Sequence, residues 1–322
     1  MLVHRPYWAK PPLLSLALLA ICLTVIVPLR SGASGCVGPG DDLAAIVNQA
    51  PVGSTVCISP GIYHPSASMN PASHVTIEGT SKRGKVQIRT KTLEVIFELG
   101  KASGVTIRNL TISGGVNRCA GTNCGPTGEG IHGGIDVTVN NVRIYHNGRA
   151  GIGGVTGLLK VTHSRVDHNG SAVSGPDYVS AGIKSVHPIT VTDSRVDHNA
   201  GNGIHCDRDC GAFKVVRSDV EYNTLTGIHL ELGRGPAKIA NNTVRYNNLL
   251  VWLYHAGINV NDSKDTDIYG NILGGNGRKG IHVWEDTRAG TSGYHLSNVR
   301  VHDNVKHRDG IGVCSLAGVR CY

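Results

Sequence analysis

The sequence predicts an all-β solenoid, a stack of short strands wound into coils, and three observations predict it. The first is composition: 322 residues hold 43 Gly and 22 Asn but only two Phe, two Met and three Trp. Gly and Asn tolerate the left-handed backbone that tight corners need. The second is an internal repeat. SRVDHN stands at 164–169 and again at 194–199, with weaker copies VRIYHN at 142–147, SDVEYN at 218–223, TVRYN at 243–247 and NVRVHDN at 298–304. The third is a Gly-Ile step that follows most copies about five residues later, at Ile131, Ile152, Ile183, Ile204, Ile228, Ile258, Ile281 and Ile311. Its intervals are 21, 31, 21, 24, 30, 23 and 30 residues, and a period in the twenties is that of a solenoid.

Other classes fall away on the same residues. Glycine has no three-residue period, so collagen is excluded, and no long Leu/Ala/Glu/Lys stretch follows the first 30 residues to build a bundle. A hydrophobic content of 40% against 17% charge is too apolar for disorder. The LxxLxL core of leucine-rich repeats is missing. Segments such as KVTHSRVDH at 160–168 and PITVTDSRVDH at 188–198 alternate Val/Ile with polar residues, which is the period of strands and not of helical repeats.

Taken in order, the chain begins with a leader. Arg5 and Lys10 precede an apolar run from Leu13 to Leu29, and the small residues SGASG follow at 31–35. This is the pattern of an export signal. Residues 1–35 are therefore expected to act as a signal peptide or, if retained, to anchor the protein in a membrane through residues 13–29. Export agrees with the cysteines. Cys22 lies in the leader and the remaining eight form four local couples, Cys36–Cys57, Cys119–Cys124, Cys206–Cys210 and Cys314–Cys321. Their spacings suit short disulfide loops better than zinc. Next, DDLAAIVNQA at 41–50 predicts a short amphipathic helix capped by Asp41 or Asp42. GSTVCISPGIY at 53–63 is the first strand, and each later unit is expected as strand, turn, strand, turn.

Coils of this length with Asn and Gly corners resemble the right-handed parallel β-helix of the pectate-lyase-like proteins. The resemblance covers about residues 75–322 and includes HVTIEG at 74–79 and GVTIRNLTISGG at 104–115. It implies a single domain over 36–322, with a cap at 36–63 and coils from about 74. In such proteins the cap helix closes the N-terminal end of the stack, where open strand edges invite aggregation.

The repeat assigns faces. Each Ile of the Gly-Ile step points inward, so the next residue points outward and the residue two further on does the same. The first outward row reads His132, Gly153, Lys184, His205, His229, Asn259, His282, Gly312. The second reads Gly134, Val155, Val186, Asp207, Glu231, Asn261, Trp284, Cys314. Lys184, His205, Asp207, His229, Glu231, Asn259, Asn261, His282 and Trp284 are thus expected on one outward patch, with Asp262, Glu285 and Asp286 in loops beside it. A row of polar side chains is also what any solvated solenoid face carries. By contrast His146, His168 and His198, in register with Tyr222 and Tyr246, read as a structural corner stack, as do Asn147, Asn169, Asn199, Asn223 and Asn247.

The charge of the chain points to the partner. The leader's fixed charges are Arg5, Lys10 and Arg30, so the rest carries 28 basic against 23 acidic residues, or +5. That suits an acidic polysaccharide or cell-surface glycan; no basic run or basic-aromatic stripe points to nucleic acid. A monomer, secreted or held at the cell surface, is expected. One reading is β-elimination or C5 epimerisation of a polyuronate, with Lys184, His205 or His229 moving the proton and calcium on Asp207, Glu231 and Asn261 neutralising the substrate carboxylate. Asn259, His282 and Trp284 would then bind sugar. A glycoside hydrolase using Asp207 and Glu231 about one rung apart (~4.8 Å) and a non-catalytic glycan-binding or structural surface protein are the alternatives. The polygalacturonase set and the DPHE of alginate epimerases are absent.

Overall fold

A computed structural model describes residues 35–118, 127–170, 180–285, 293–312 and 319–321. The unit from Cys36 to Tyr322 is a parallel β-helix built from three sheets. One coil shows the plan. Ala181–Ser185 lies in sheet C, Ile189–Thr192 in sheet A and Arg195–Asp197 in sheet B, and the chain then re-enters sheet C as Asn202–Cys206. Every described strand pair is parallel, and equivalent residues of successive coils are in register, Ile183 on Ile204, Ile204 on Ile228, Ile228 on Ile258.

Each coil therefore has three strands where two were expected. PITVTDSRVDH is broken at Asp193, whose φ of 50° turns the chain between sheets A and B. GSTVCISPGIY likewise divides into Thr55–Ile58 and Gly61–Tyr63. The in-out order slips by one at such a corner: Ile189 and Val191 point inward before it, Ser194 and Val196 after it, with Thr192 and Asp193 both turned out between them.

The core is the inside of the coil. Ile131, Ile152, Ile183, Ile204, Ile228, Ile258 and Ile281 are all 0% exposed, and Val and Ile from sheets A and B close the space. The corners are polar but satisfied. Asn147, Asn169, Asn199, Asn223, Asn247 and Asn276 stack as one buried ladder, each Nδ2 donating to the next Oδ1 at 2.9–3.1 Å. From Asn169 on, each also donates to a backbone carbonyl of the preceding coil, for example Asn223 to Val196 O at 3.1 Å. Buried amides are tolerable only on such terms. Beside them the rings of His168, His198, Tyr222 and Tyr246 stack at 4.8–4.9 Å, as the corner reading expects. A second corner ladder, Ser164, Ser194, Ser218, Asn242, Asn271 and Asn304, joins sheets A and B and was not read from the sequence.

The glycines of the Gly-Ile steps have a steric reason. A Cβ on Gly203 would stand 2.6 Å from Gly227 O and 2.7 Å from Asn223 Nδ2, and Gly182 and Gly227 face the same obstacles. Only a residue without Cβ lets the asparagine ladder pack so close.

At the N-terminal end the helix Leu43–Gln49 buries Leu43, Ala44 and Val47. Its N-cap is Asp42, which accepts from Ala45 N at 3.1 Å, while Asp41 accepts from Gly38 N. The disulfides Cys36–Cys57 and Cys206–Cys210 are formed. The couples Cys119–Cys124 and Cys314–Cys321, and the leader with its apolar run, lie outside the described residues. Among the described residues no helix is long and apolar enough to cross a membrane.

Candidate functional site

Four neighbouring strands of sheet C carry the expected row: Ala181–Ser185, Asn202–Cys206, Ile228–Glu231 and Ile258–Asn261, followed by Ile281–Trp284. The register sets Lys184 beside His205, His205 beside His229, His229 beside Asn259 and Asn259 beside His282. It also sets Glu231 beside Asn261 and Asn261 beside Trp284. Asp207 lies just beyond its strand, where pairing ends at Cys206 against Leu230. Val155, expected to point outward, is 0% exposed and stacks on Ser185, because a bulge between Ile152 and Val155 inserts a residue and reverses its face.

The row faces outward but is not open. His205, His229, Asn259, Asn261 and His282 are between 0% and 8% exposed. Two causes act together. The inserted segment after Asn248 folds back, so that Tyr254 lies 5.3 Å from the Trp284 ring and His255 meets Thr226 Oγ1 at 2.9 Å. The side chains also bond along the sheet instead of to water. Lys184 and Asp207, an ion pair at 2.9 Å, are the more exposed edge of the cluster.

Behind that edge, His205 Nε2 donates to Glu231 Oε2 at 3.2 Å, and Asn202 Nδ2 donates to His205 Nδ1 at 3.3 Å. The imidazoles of His205 and His229 stack at 4.5 Å, 6° from parallel. Asn261 Oδ1 lies 2.9 Å and Asn259 Nδ2 3.1 Å from His229 Nε2, while Trp284 Nε1 donates to Asn259 Oδ1 at 2.9 Å. Nδ1 of His229 and of His282 are buried and meet no hydrogen-bond partner among the described residues.

Burial dominates the electrostatics. It pushes His229 down to about 4, with His205 adding to the shift, and His282 down to about 4, with Lys279 adding. His205 is also lowered by burial, against the pull of its Glu231 hydrogen bond. All three rings are therefore neutral at neutral pH. Burial works to raise Asp207, but Lys184, by its charge and its hydrogen bond, holds the carboxyl below its ordinary value.

Among the described residues one group of three metal-binding types comes together, His205, His229 and Glu231, with ligand atoms within 4.8 Å of one another. The stacked rings aim their in-plane lone pairs side by side, so a shared ion requires a ring to turn. Asp207, expected to join Glu231 and Asn261 around calcium, is instead drawn to Lys184, and Asn261 Nδ2 donates to Asp262 Oδ2 at 3.2 Å. Glu285 accepts from Leu296 N at 3.1 Å, and Asp286 lies outside the described residues. Asn202, Tyr254 and His255 were missed. No signal marked Asn202: two residues before the eight Ile the repeat reads Glu129, Ala150, Ala181, Asn202, Thr226, Ala256, Lys279 and Asp309. A concavity of about 340 Å³ at the cap, lined by Asp41, Asp42, Tyr63 and His64, holds none of the candidate residues.

None of the curated proteins matches the chain by sequence. In structure it is similar to the A-module of mannuronan C-5 epimerase AlgE4 from Azotobacter vinelandii, with a TM-score of 0.58 and 16% identity over 89% of this chain and 90% of that one. The A-module of AlgE6 from the same organism gives 0.51 and 16%, over 83% and 89%. A variant of the periplasmic alginate epimerase AlgG gives 0.50 and 14%, over 89% and 82%. At such identities the likeness is one of fold. Residues 60–305 match the model of the right-handed beta helix region, and a chain whose three parallel sheets stack in register over that span belongs to this family.

Proposed function

We propose that this is an exported protein whose sheet C face takes an acidic polysaccharide and moves the proton at C5 of a uronate residue, by epimerisation or β-elimination. One observation carries the reading: Glu231 holds Nε2 of a neutral imidazole, His205, whose Nδ1 lone pair accepts from Asn202 Nδ2, one rung from a lysine. Lys184 meets the uronate carboxylate and lowers the cost of the charge that develops when the proton leaves. His205 Nδ1 accepts the proton in exchange for its hydrogen bond from Asn202, and Glu231 stabilises the imidazolium through Nε2. The half-buried Trp284, stacked on His282, borders the sugar at the edge of the row. Two disulfides fit an oxidising compartment, and the likeness in fold to mannuronan and alginate epimerases fits a polyuronate.

The test is incubation with a panel of polyuronates in D₂O, reading unsaturated ends by ultraviolet absorbance and deuterium at C5 by NMR. Turnover is expected, with His205→Ala and Glu231→Gln lowering kcat about 100-fold or more and Lys184→Ala raising KM as well. Chelator should leave the rate unchanged; loss of turnover would instead select calcium held by Asp207, Glu231 and Asn261. A panel neither modified nor bound would end the proposal. The non-catalytic reading is favoured by the burial of His205 and His229, and it predicts binding without turnover. A hydrolase is less well served, because it needs one carboxyl protonated, while Asp207 is held ionised and Glu231 accepts from His205 Nε2.

A further inference from the structure

The segment after Asn248 reads Leu249-Leu250-Val251-Trp252-Leu253-Tyr254, six large apolar residues in a row, and all six are exposed, by 36–59%. A flexible loop would fold such residues away; this one is held out. Asn248 is 0% exposed and ties both ends, its Nδ2 donating to Trp252 O at 3.0 Å and His255 O at 3.1 Å, and its Oδ1 accepting from Trp252 N at 2.9 Å. Asn248 N is bonded in turn to Leu225 O, so the knuckle stands on the coil itself. Exposed apolar patches of this kind mark a surface that something covers.

The chemistry of the residues chooses the occupant. A loop that only gripped sugar would use aromatic and polar groups. Four of these six are aliphatic, which glycan does not repay and hydrocarbon does. Trp and Tyr flanking aliphatics are the composition found at membrane interfaces. Residues 248–257 contain no acidic residue. The turn against the loop's base carries Arg278 and Lys279, and it packs so closely that a Cβ on Gly277 would stand 2.6 Å from Asn248 O. Asp309, which packs against Gly280 at the end of that turn, is engaged by Asn276 Nδ2 at 2.7 Å. The same chain carries the apolar run Leu13–Leu29 behind Arg5 and Lys10, which brings it to a membrane during export.

We propose that the Leu249–Tyr254 knuckle inserts into the interface of an anionic lipid bilayer, with Arg278 and Lys279 meeting the headgroups. The docking is independent of what the sheet C face does, and Tyr254, shared between knuckle and Trp284, places that face at the lipid surface.

The chain has three tryptophans, Trp8, Trp252 and Trp284, which makes the knuckle visible on its own. In the full chain carrying Trp8→Phe and Trp284→Phe, vesicles of phosphatidylcholine and phosphatidylglycerol (3:1) with brominated acyl chains should quench Trp252 and shift its emission to the blue. Pure phosphatidylcholine should do so at least several-fold less well. Leu250→Ser with Leu253→Ser should remove the quenching while leaving the melting temperature unchanged, since both side chains are half exposed. Quenching of Trp8 without Trp252 in the parent would show attachment through the leader alone and overturn the proposal. So would a vesicle-independent dimer, seen by sedimentation, that the double serine variant abolishes.

Discussion

At the scale of single residues the buried polar groups decide both stability and chemistry. Asn223 donates to Asn247 and to Val196 O and accepts from Asn199, so Asn223→Ala strips three buried partners at once. Unfolding in urea should show a loss of about 3 kcal/mol, against well under 1 kcal/mol for Ala at exposed Asn70. The neutral imidazoles give a pH signature. His229, His255 and His282 titrate at about 4 when folded and at 6.5 when unfolded. Between those values the unfolded chain binds protons that the folded one refuses. Stability from these groups is thus complete above pH 6.5 and drains away as the pH falls toward 4. A urea midpoint that holds from pH 7 to 8 and drops steadily from 6.5 to 4.5 is expected, with His229→Gln shallower. The site was half legible at this scale. Repeat register put Lys184, His205, His229 and Glu231 on one face, because register follows from sequence spacing. It could not show that Asp207 turns to Lys184 or that Asn202 holds His205, because those depend on rotamers and on which amide end faces which ring.

At the scale of the element, the Gly-Ile step joins two jobs. The isoleucine fills the core and the glycine lets the asparagine of the next coil approach. Gly203→Ala should therefore cost about 1–3 kcal/mol in urea titrations although the site is a strand, where alanine is ordinarily no worse than glycine. Strand identity was readable from Val/Ile alternation; the sheet in which each strand lies was not. The corner at Asp193 turns the backbone and shifts the in-out order by one, a slip carried only by the odd spacing from Val191 to Val196, and the bulge before Val155 changes the order without a residue that announces it.

Across the molecule, each coil touches mainly its two neighbours, so the ladders are the threads that run its length. They also bear on how the protein ages. Four of the asparagines in or beside the site and corners, Asn147, Asn169, Asn202 and Asn276, are followed by glycine, the neighbour that most readily lets the backbone nitrogen attack the side-chain carbonyl, expel ammonia and leave isoaspartate. In the fold those nitrogens are engaged: Gly148 N bonds Gly115 O, Gly170 N bonds Asn147 O, Gly203 N bonds Thr226 O and Gly277 N bonds Gly275 O. The coil that depends on these amides thus also shields them. Peptide mapping after weeks at 37 °C should find them intact in folded protein and converted in urea, so that each molecule carries a chemical record of the time it has spent unwound.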